Sequence, residues 1–442
     1  MTDAPPTGRP ARRRQRVLRA LLAIAEVPVV AAVLVGYAAA FLPPRPYWWA
    51  QLAAVGLPYA TWALAITGVA WLVARHWPAV AFHTLLVGLV LLRAGALDRF
   101  GDRQPAADDL VLTTFNVPEV GPSRETLGDE MATYVREAEP DLLALQDAWV
   151  QGDAGGREGR RQAVQVEAVT TALPYTLELP ERLAGHPGWR ENETGVPVLV
   201  RDDAGIEVVE QEALVLGVER DPDVSLALRT HLRWRDREAV LYNVHLRSFG
   251  EAKPWEDDRF SLFRISTWRP YARRYRAVYG QRGDEVEEIA ERIEAETLPV
   301  IVAGDLNSTA DNWSYRRLRT AGGVDRVDAF RQAGGWAWGR TYHARRPFVR
   351  IDVILADPAL NVTSARTTPV TFSDHRPVQA TLRWRASDPA PAGNDVPADA
   401  QAPAGTQTSA DDRPPAGGSS GRIGVNPASQ SLQAQTAGAL AR

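Results

Sequence analysis

The chain contains no cysteine, which excludes disulfides, thiolate-bound zinc and thiol nucleophiles. That absence leaves the compartment open, because a large extracellular domain can be stable without disulfides. Lysine occurs once, at Lys253, and arginine carries the rest of the positive charge. A net charge of −4 argues against a globally basic nucleic-acid binder and still permits local basic patches. Long apolar runs are missing from most of the chain. They are confined to the stretch before residue 98, and beyond residue 386 almost nothing could be buried.

What stands at the start is a membrane pattern. An arginine cluster (Arg9, Arg12, Arg13, Arg14, Arg16, Arg19) fills the basic segment 1–19, and apolar runs follow over residues 20–42, 47–73 and 77–97. At ~1.5 Å of rise per helical residue each reaches across a hydrocarbon core of ~30 Å. The third contains His83 and needs Arg93 to snorkel toward the interface. Tyr47, Trp48, Trp49, Trp71 and Trp77 sit near the run ends, where aromatic belts form. The first run is longer than the apolar region of a cleaved signal peptide, and a second run follows at once. A cytoplasmic arginine-rich start, with Arg75 in the next cytoplasmic loop, places everything after a third span outside. If the third run only lies in the interface, the remainder stays cytoplasmic.

Between residues 108 and 386 the pattern changes to short β-like runs separated by helices and loops. Residues 110–115, 142–146, 196–200, 239–245, 299–303, 351–355 and 379–384 read as strands. Residues 128–139, 260–279 and 285–296 read as helices. Many strands with few helices outside them predict a two-sheet α/β sandwich. Residues 387–442, rich in Pro, Ala, Ser and Gln, read as a disordered tail.

Five short segments each follow a hydrophobic strand with polar residues: Thr114-Phe115-Asn116, Leu145-Gln146-Asp147, Tyr242-Asn243-Val244-His245-Leu246, Gly304-Asp305-Leu306-Asn307-Ser308 and Ser373-Asp374-His375-Arg376-Pro377. A sixth, Arg350 to Leu355, sets Asp352 at the head of an apolar strand. Taken singly, each has a bland reading. Gly-Asp-Leu-Asn makes a turn after a strand, Ser-Asp-His caps a helix, and His245 or Asp352 is a satisfied core group. Taken together, carboxylates, carboxamides and imidazoles delivered to one sheet edge make a pocket for a hard cation and a phosphate.

Their order and wording resemble the endonuclease/exonuclease/phosphatase superfamily, with its DNase-I-like four-layer fold, over residues 108–386. The most specific matches are Gly304 to Asn307 and Ser373 to Pro377. The resemblance implies a Mg²⁺ ion, with Mn²⁺ as the alternative, held by Asn116, Asp147 and Asp374. It implies that Asp305 orients or deprotonates the attacking water, that Asn307 and His245 contact the phosphate, and that His375 faces the phosphorus, held by Asp352. Asn243 is expected to add a neutral donor to the substrate. One departure stands out: the second motif usually ends Gln-Glu, and here it is Gln146-Asp147, one methylene shorter. Retained activity is expected, since the other matched positions all stand.

Substrate is less legible. Arg259, Arg264, Arg269, Arg273, Arg274 and Arg276 lie among Trp255, Trp268, Tyr271, Tyr275 and Tyr279, which is either a solvated helix face or a surface for anionic lipid heads. Trp313, Trp336 and Trp338 flank the site segments and either meet acyl chains or pack in the core. An apolar anchor confines an active site to a membrane and so favours lipids. The arrangement of several N-terminal spans before an external catalytic domain resembles a glycopeptide-resistance-associated branch of the superfamily, which implies a polyprenyl (pyro)phosphate or membrane phospholipid as substrate. A surface nuclease and a catalytically silent lipid- or partner-binding scaffold are the alternatives. Nothing in the sequence calls for an obligate protein partner.

Overall fold

Three apolar helices open the chain: α1 (Arg9–Ala38), α2 (Trp48–Val73) and α3 (Trp77–Arg93). They come from a computed structural model that describes residues 9–94, 108–118, 123–151, 161–180, 182–184, 193–216, 225–250, 254, 261, 264–334 and 339–385. The region 387–442 and the tryptophans Trp255, Trp336 and Trp338 lie outside the described residues.

Two segments, Arg13–Phe41 and Trp48–Val73, are long and apolar enough to cross a membrane, and only 6% and 17% of their apolar windows are buried. A helix left so uncovered differs from the core helix of a water-soluble domain, and large side chains such as Ile24, Trp62, Ile66 and Val73 point outward. α3, inside the expected third run, has 17 residues, at the lower end of the ~17–25 that a span takes, and residues 95–97 lie outside the described residues. Glu26 of α1 lies 3.2 Å from His83 of α3 and accepts a hydrogen bond from the indole of Trp71 on α2. That contact ties the three helices together, and polar groups in apolar surroundings are costly unless they are paired in this way. Arg93 does not snorkel outward. Its guanidinium stacks over the rings of Tyr37 and Phe41 and meets Asp311 at 3.5 Å.

The sandwich that follows begins with β1 (Leu110–Asn116), α4 (Arg124–Ala138), β2 (Leu142–Gln146), β3 (Val150–Gln151), β4 (Arg161–Gln162) and α5 (Val164–Ala172). It continues through β5 (Tyr175–Leu177), β6 (Arg182–Ala184), β7 (Glu193–Thr194), β8 (Val198–Arg201), β9 (Ile206–Leu216), β10 (Ser225–Trp234) and β11 (Arg237–His245). α6 (Ile265–Ala295), β12 (Val300–Asp305), α7 (Trp313–Thr320), β13 (Val327–Asp328), α8 (Ala329–Ala333), β14 (Asp352–Ala356), β15 (Leu360–Thr367) and β16 (Val378–Trp384) complete it. One sheet runs β15-β16-β1-β2-β8-β5 and the other β13-β14-β12-β11-β10-β9-β6, with a small β4-β3-β7 sheet at the side.

Period-2 alternation makes the layers. Leu110 and Leu112 of β1, Leu142 and Ala144 of β2, Leu241 of β11, Ile301 of β12 and Ile354 of β14 meet in the core between the sheets. The intervening residues face outward under helices. Phe115, Leu143 and Leu145 are covered by Leu127, Met131 and Val135 of α4. Val240, Tyr242, Val302 and Val353 are covered by Val286, Ile289, Ala290 and Ile293 of α6, spaced to form one helical face. β1 pairs with β2 in parallel, as β11 does with β12, and parallel neighbours require the crossovers that α4 and α6 supply. The result is the four-layer, DNase-I-like α/β sandwich.

The expected helices 260–279 and 285–296 are one continuous helix, α6, of 31 residues. Gly280 and Gly283 fall in the gap between the two expected helices, and Gly283 serves close packing: a Cβ there would lie 2.6 Å from Pro44 in the connection between α1 and α2.

Candidate active site

The same alternation that builds the inner core delivers the polar residues. Continuing inward from Leu110, Leu112 and Thr114 brings Asn116, and Ala144 brings Gln146. On the other sheet Leu241 brings Asn243 and His245, while Ile301 and Ala303 bring Asp305. In register, Asn116 lies opposite Gln146, His245 opposite Asp305, and Asp305 opposite Asp352. One end of both sheets therefore carries one polar ring.

Backbone strain marks this ring. Gly304 sits at φ 140° where a Cβ would fall 1.9 Å from the carbonyl oxygen of Val244, so only glycine lets β12 approach β11 just before Asp305. Asp147 and Asn307 hold φ values of 56° and 46°, left-handed conformations that non-glycine residues keep when the surroundings enforce them.

Asp305 is the hub. Its Oδ2 accepts from Asn116 Nδ2 at 3.1 Å and from Asn307 Nδ2 at 3.3 Å, while Oδ1 accepts from the Asn307 backbone N–H at 2.8 Å. His245 Nε2 lies 3.7 Å and His375 Nε2 3.8 Å from that Oδ2. The opposite nitrogens are held by other carboxylates: His245 Nδ1 is 3.2 Å from Asp147, and His375 Nδ1 is 3.0 Å from Asp352. Ser373 Oγ donates to the Asn116 carbonyl at 2.8 Å and accepts from the His375 backbone N–H at 2.9 Å, joining two of the six segments.

Electrostatics follow from this crowding. Burial works against the charged imidazole of His375, yet Asp352 and Asp305 raise its pKa to about 10. Burial likewise opposes charge on His245, and Asp147 with Asp305 hold its pKa at about 9. Burial and the nearby Asp352 charge push Asp305 up to about 6, in spite of both histidines. Burial would raise Asp147, but His245 outweighs it and lowers that pKa. A carboxylate poised near neutrality beside two protonated imidazoles can take a proton from water while the imidazoles face an anion.

One expected substrate contact is corrected. Asn243 is fully buried, its Nδ2 donates to the carbonyls of Leu145, Val196 and Pro197, and its Oδ1 accepts from Gln146 at 2.6 Å. With both ends of the carboxamide consumed, Asn243 fastens one sheet to the other and has nothing left for a ligand. Asp352 is also out of reach, behind His375 and absent from the cavity lining, and it bears on the site through His375 and Asp305. Asn116, Asp147, His245, Asp305, Asn307, Asp374 and His375 all line one cavity of about 350 Å³.

That cavity has walls the sequence did not announce. Tyr342 places its ring 5.0 Å from that of His375, and Ser248, Phe249, Tyr275, Phe348 and Val349 join it. Val55 of α2 is there too. Of the arginine-rich stretch, Arg264, Arg269, Arg273 and Arg276 are exposed. Arg282 is buried, donates to the Arg247 carbonyl and to Ser308, and lies against Phe249 and Tyr279.

The sequence profile of the Endonuclease/Exonuclease/phosphatase family matches residues 113–375, from β1 through His375. The chain belongs to that family. Members of the Endonuclease/Exonuclease/phosphatase family are metal-dependent phosphoesterases, nucleases and phosphatases, and this chain is a metal-dependent phosphoric ester hydrolase. No curated protein sequence matches it. Among solved structures it is similar to an endonuclease/exonuclease/phosphatase from Bacteroides vulgatus, at 19% identity and TM-score 0.43, over 63% of this chain and 99% of that one. A mannosyl-6-phosphatase from Bacteroides thetaiotaomicron matches at 17% identity and TM-score 0.45, over 62% and 100%. The human Nocturnin catalytic domain matches at 16% and 0.42, over 65% and 96%. At these levels the likenesses carry nothing about what this chain acts on.

The donor set suits a hard divalent cation. Asn116 Oδ1 and Asp374 Oδ1 are buried with no hydrogen-bond partner, as oxygen ligands awaiting an ion would be. Asp305, Asp352 and His375 also bring ligand atoms within 4.8 Å of one another. Their atoms, however, are already occupied by each other and by Asn116 and Asn307. The unpartnered oxygens make Asn116 and Asp374 the better cradle, with Asp147 beside them.

Proposed function

We propose that this chain is a membrane-anchored, Mg²⁺-dependent phosphoesterase that hydrolyses a phosphate ester or pyrophosphate of a membrane lipid or lipid-linked carrier. The observation that carries the lipid reading is Val55: a residue of an apolar helix fit to cross a membrane lines the same cavity as Asp305 and His375. A soluble or nucleic-acid substrate gives no reason for that wall.

In this reading Asn116, Asp147 and Asp374 hold the ion. The bound ion would polarise the phosphoryl oxygen and offset the charge that develops on displacement. Asp305 accepts a proton from the attacking water, whose oxygen bonds to phosphorus as the bond to the leaving oxygen breaks. Asn307 and protonated His245 hold non-bridging oxygens. His375, kept protonated and oriented by Asp352, faces the phosphate anion. Asp147 is shorter than the family's usual Glu, and its left-handed backbone together with its pairing to His245 aims the carboxylate at the cavity.

Placement follows from the arginine-rich start. With residues 1–19 in the cytoplasm and three crossings, the catalytic sandwich lies on the extracytoplasmic side. A reporter fused at Asp108, scored for cytoplasmic or external activity, tests this. For the substrate, detergent-solubilised full-length protein with Mg²⁺ is offered lipid phosphates, lipid pyrophosphates, DNA and RNA. Release of phosphate or headgroup from a lipid is the expected result. Cleavage of nucleic acid with every lipid left intact sinks the proposal.

A further inference from the structure

A second cavity of about 290 Å³ adjoins the reaction cavity, and Val55, Thr309, Phe348 and Val349 wall both. One side is apolar and comes from the helices: Val55 and Pro58 of α2, Leu91 of α3. The other, from the sandwich, carries Arg331, Arg340 and Arg350, with Arg350 paired to Asp328, while Arg93 at the end of α3 meets Asp311. Such a lining suits neither a neutral oil nor a small hydrophilic anion. It suits an anionic amphiphile.

The space between helices and sandwich is built, because the N-terminal half of α2 is fastened at two points. Gln51 is buried, and its Nε2 donates to the carbonyls of Ala39 and Leu42 at 3.1 and 2.9 Å. Its Oε1 accepts from Asn312 Nδ2 and from the Trp313 backbone N–H, each at 3.1 Å, so a residue of α2 caps the first turn of α7. One and two turns further along α2 come Val55, Pro58 and then Tyr59, whose hydroxyl donates to the Phe348 carbonyl at 2.9 Å. These bonds fix the helix against the two loops that form the opposite walls, 307–312 and 342–350. The outward face of the same helix, with Trp62, Ile66 and Val69, stays exposed.

We infer that the second cavity binds the apolar chain of the lipid whose phosphate is hydrolysed next door, so that α2 and α3 form half of the substrate site as well as the anchor. This rests on the lipid reading above and adds where the chain lies. The lipid moves sideways past Pro58, lays its chain along Val55 and Leu91, and swings its anionic head past Thr309 into the polar ring. Arg331 and Arg340 on the sandwich wall favour the charged amphiphile over a neutral one of the same length.

Photolabelling tests this without turnover. Full-length protein in phosphatidylcholine nanodiscs is incubated with a long-chain alkylphosphonate carrying a diazirine near the head, and labelled residues are mapped by mass spectrometry. Labelling at Val55, Pro58 and Leu91, competed by hexadecylphosphonate and not by hexadecanol, is expected. Leu91→Gln and Val55→Trp should each reduce that labelling several-fold, since each methylene kept from water is worth about fourfold in binding. Labels spread over Ile24, Trp62 and Ile66 and indifferent to the competitor would overturn the inference. So would hexadecanol competing as well as the phosphonate. Labelling at Val55 without hydrolysis of any lipid phosphate leaves the chain site standing and removes the lipid-phosphatase reading, whereas hydrolysis without such labelling does the reverse.

Discussion

Asp352→Asn keeps the shape of the side chain behind His375 and removes its charge. The carboxylate is fully buried and both its oxygens lie 3.0–3.1 Å from His375 Nδ1. The rise of the imidazole pKa from 6.5 to about 10 corresponds to about 5 kcal/mol in favour of the charged ring. Asp352 supplies more of that than Asp305, whose oxygen stands 3.8 Å from the other nitrogen. Removing that charge leaves burial opposed chiefly by the more distant Asp305 and lowers the imidazole pKa. A raised pKa keeps the protonated ring present well above the ordinary histidine range and loses it as pH climbs through the folded value. Hence kcat/KM for bis(p-nitrophenyl) phosphate, measured as a function of pH at saturating Mg²⁺, should lose its basic limb at lower pH in the variant. Above the variant's limb the rate falls about tenfold for each pH unit, on top of any loss at neutral pH from a less well oriented ring. The Asp352 backbone N–H keeps its bond to Thr341 Oγ1, so an unchanged melting profile serves as the control. Basic limbs that coincide in the two proteins would refute the reasoning.

Asp147→Ala should abolish metal-dependent turnover and Asp147→Glu should preserve it, read as phosphate release at equal Mg²⁺. Full activity in the alanine variant removes Asp147 from the site. Gln51→Leu leaves the carbonyls of Ala39 and Leu42, the Asn312 amide and the Trp313 N–H short of partners; at ~1 kcal/mol or more for each buried polar group left unmatched, melting in detergent should fall by several degrees. A melting temperature within one degree of wild type would mean that the helix is not fastened to the sandwich through that side chain.

Much of the architecture was visible in the sequence because it follows from alternation. β2 occupies the residues expected for it, and β1, β11, β12, β14 and β16 begin and end within two residues of their expected places, since each is a clean apolar run ended by polar residues. The β9–β10 pair has no expected counterpart: Glu210 and Glu207 on β9 pair across the strands with Arg229 and Arg233, and Glu212 pairs with Arg292 of α6, so the pair lacks the apolar density of a core strand. α6 runs unbroken through residues 280–284, where two helices are expected, and the packing of Gly283 against Pro44 is a tertiary contact with no local signal. In the site, the segments were legible and the division of labour was less so. Asn243 and His245 lie on the same strand face two residues apart, and only the facing carbonyls of Leu145, Val196 and Pro197 show that the first is a fastener. Tyr342 and Val55 carried no local signal, because their place in the cavity depends on a loop path and on a helix packing against a sandwich far along the chain.

On the reading proposed above, the unpartnered oxygens of Asn116 and Asp374, with Asp147, form a cradle for one divalent cation. Calorimetric titration of full-length protein with Mn²⁺, beside the double variant Asn116→Leu/Asp374→Asn, tests it most directly. One Mn²⁺ per chain in the wild type, with affinity at least about tenfold weaker in the variant, is the predicted result. Equal affinity and stoichiometry in the two proteins would place the ion elsewhere and contradict the account.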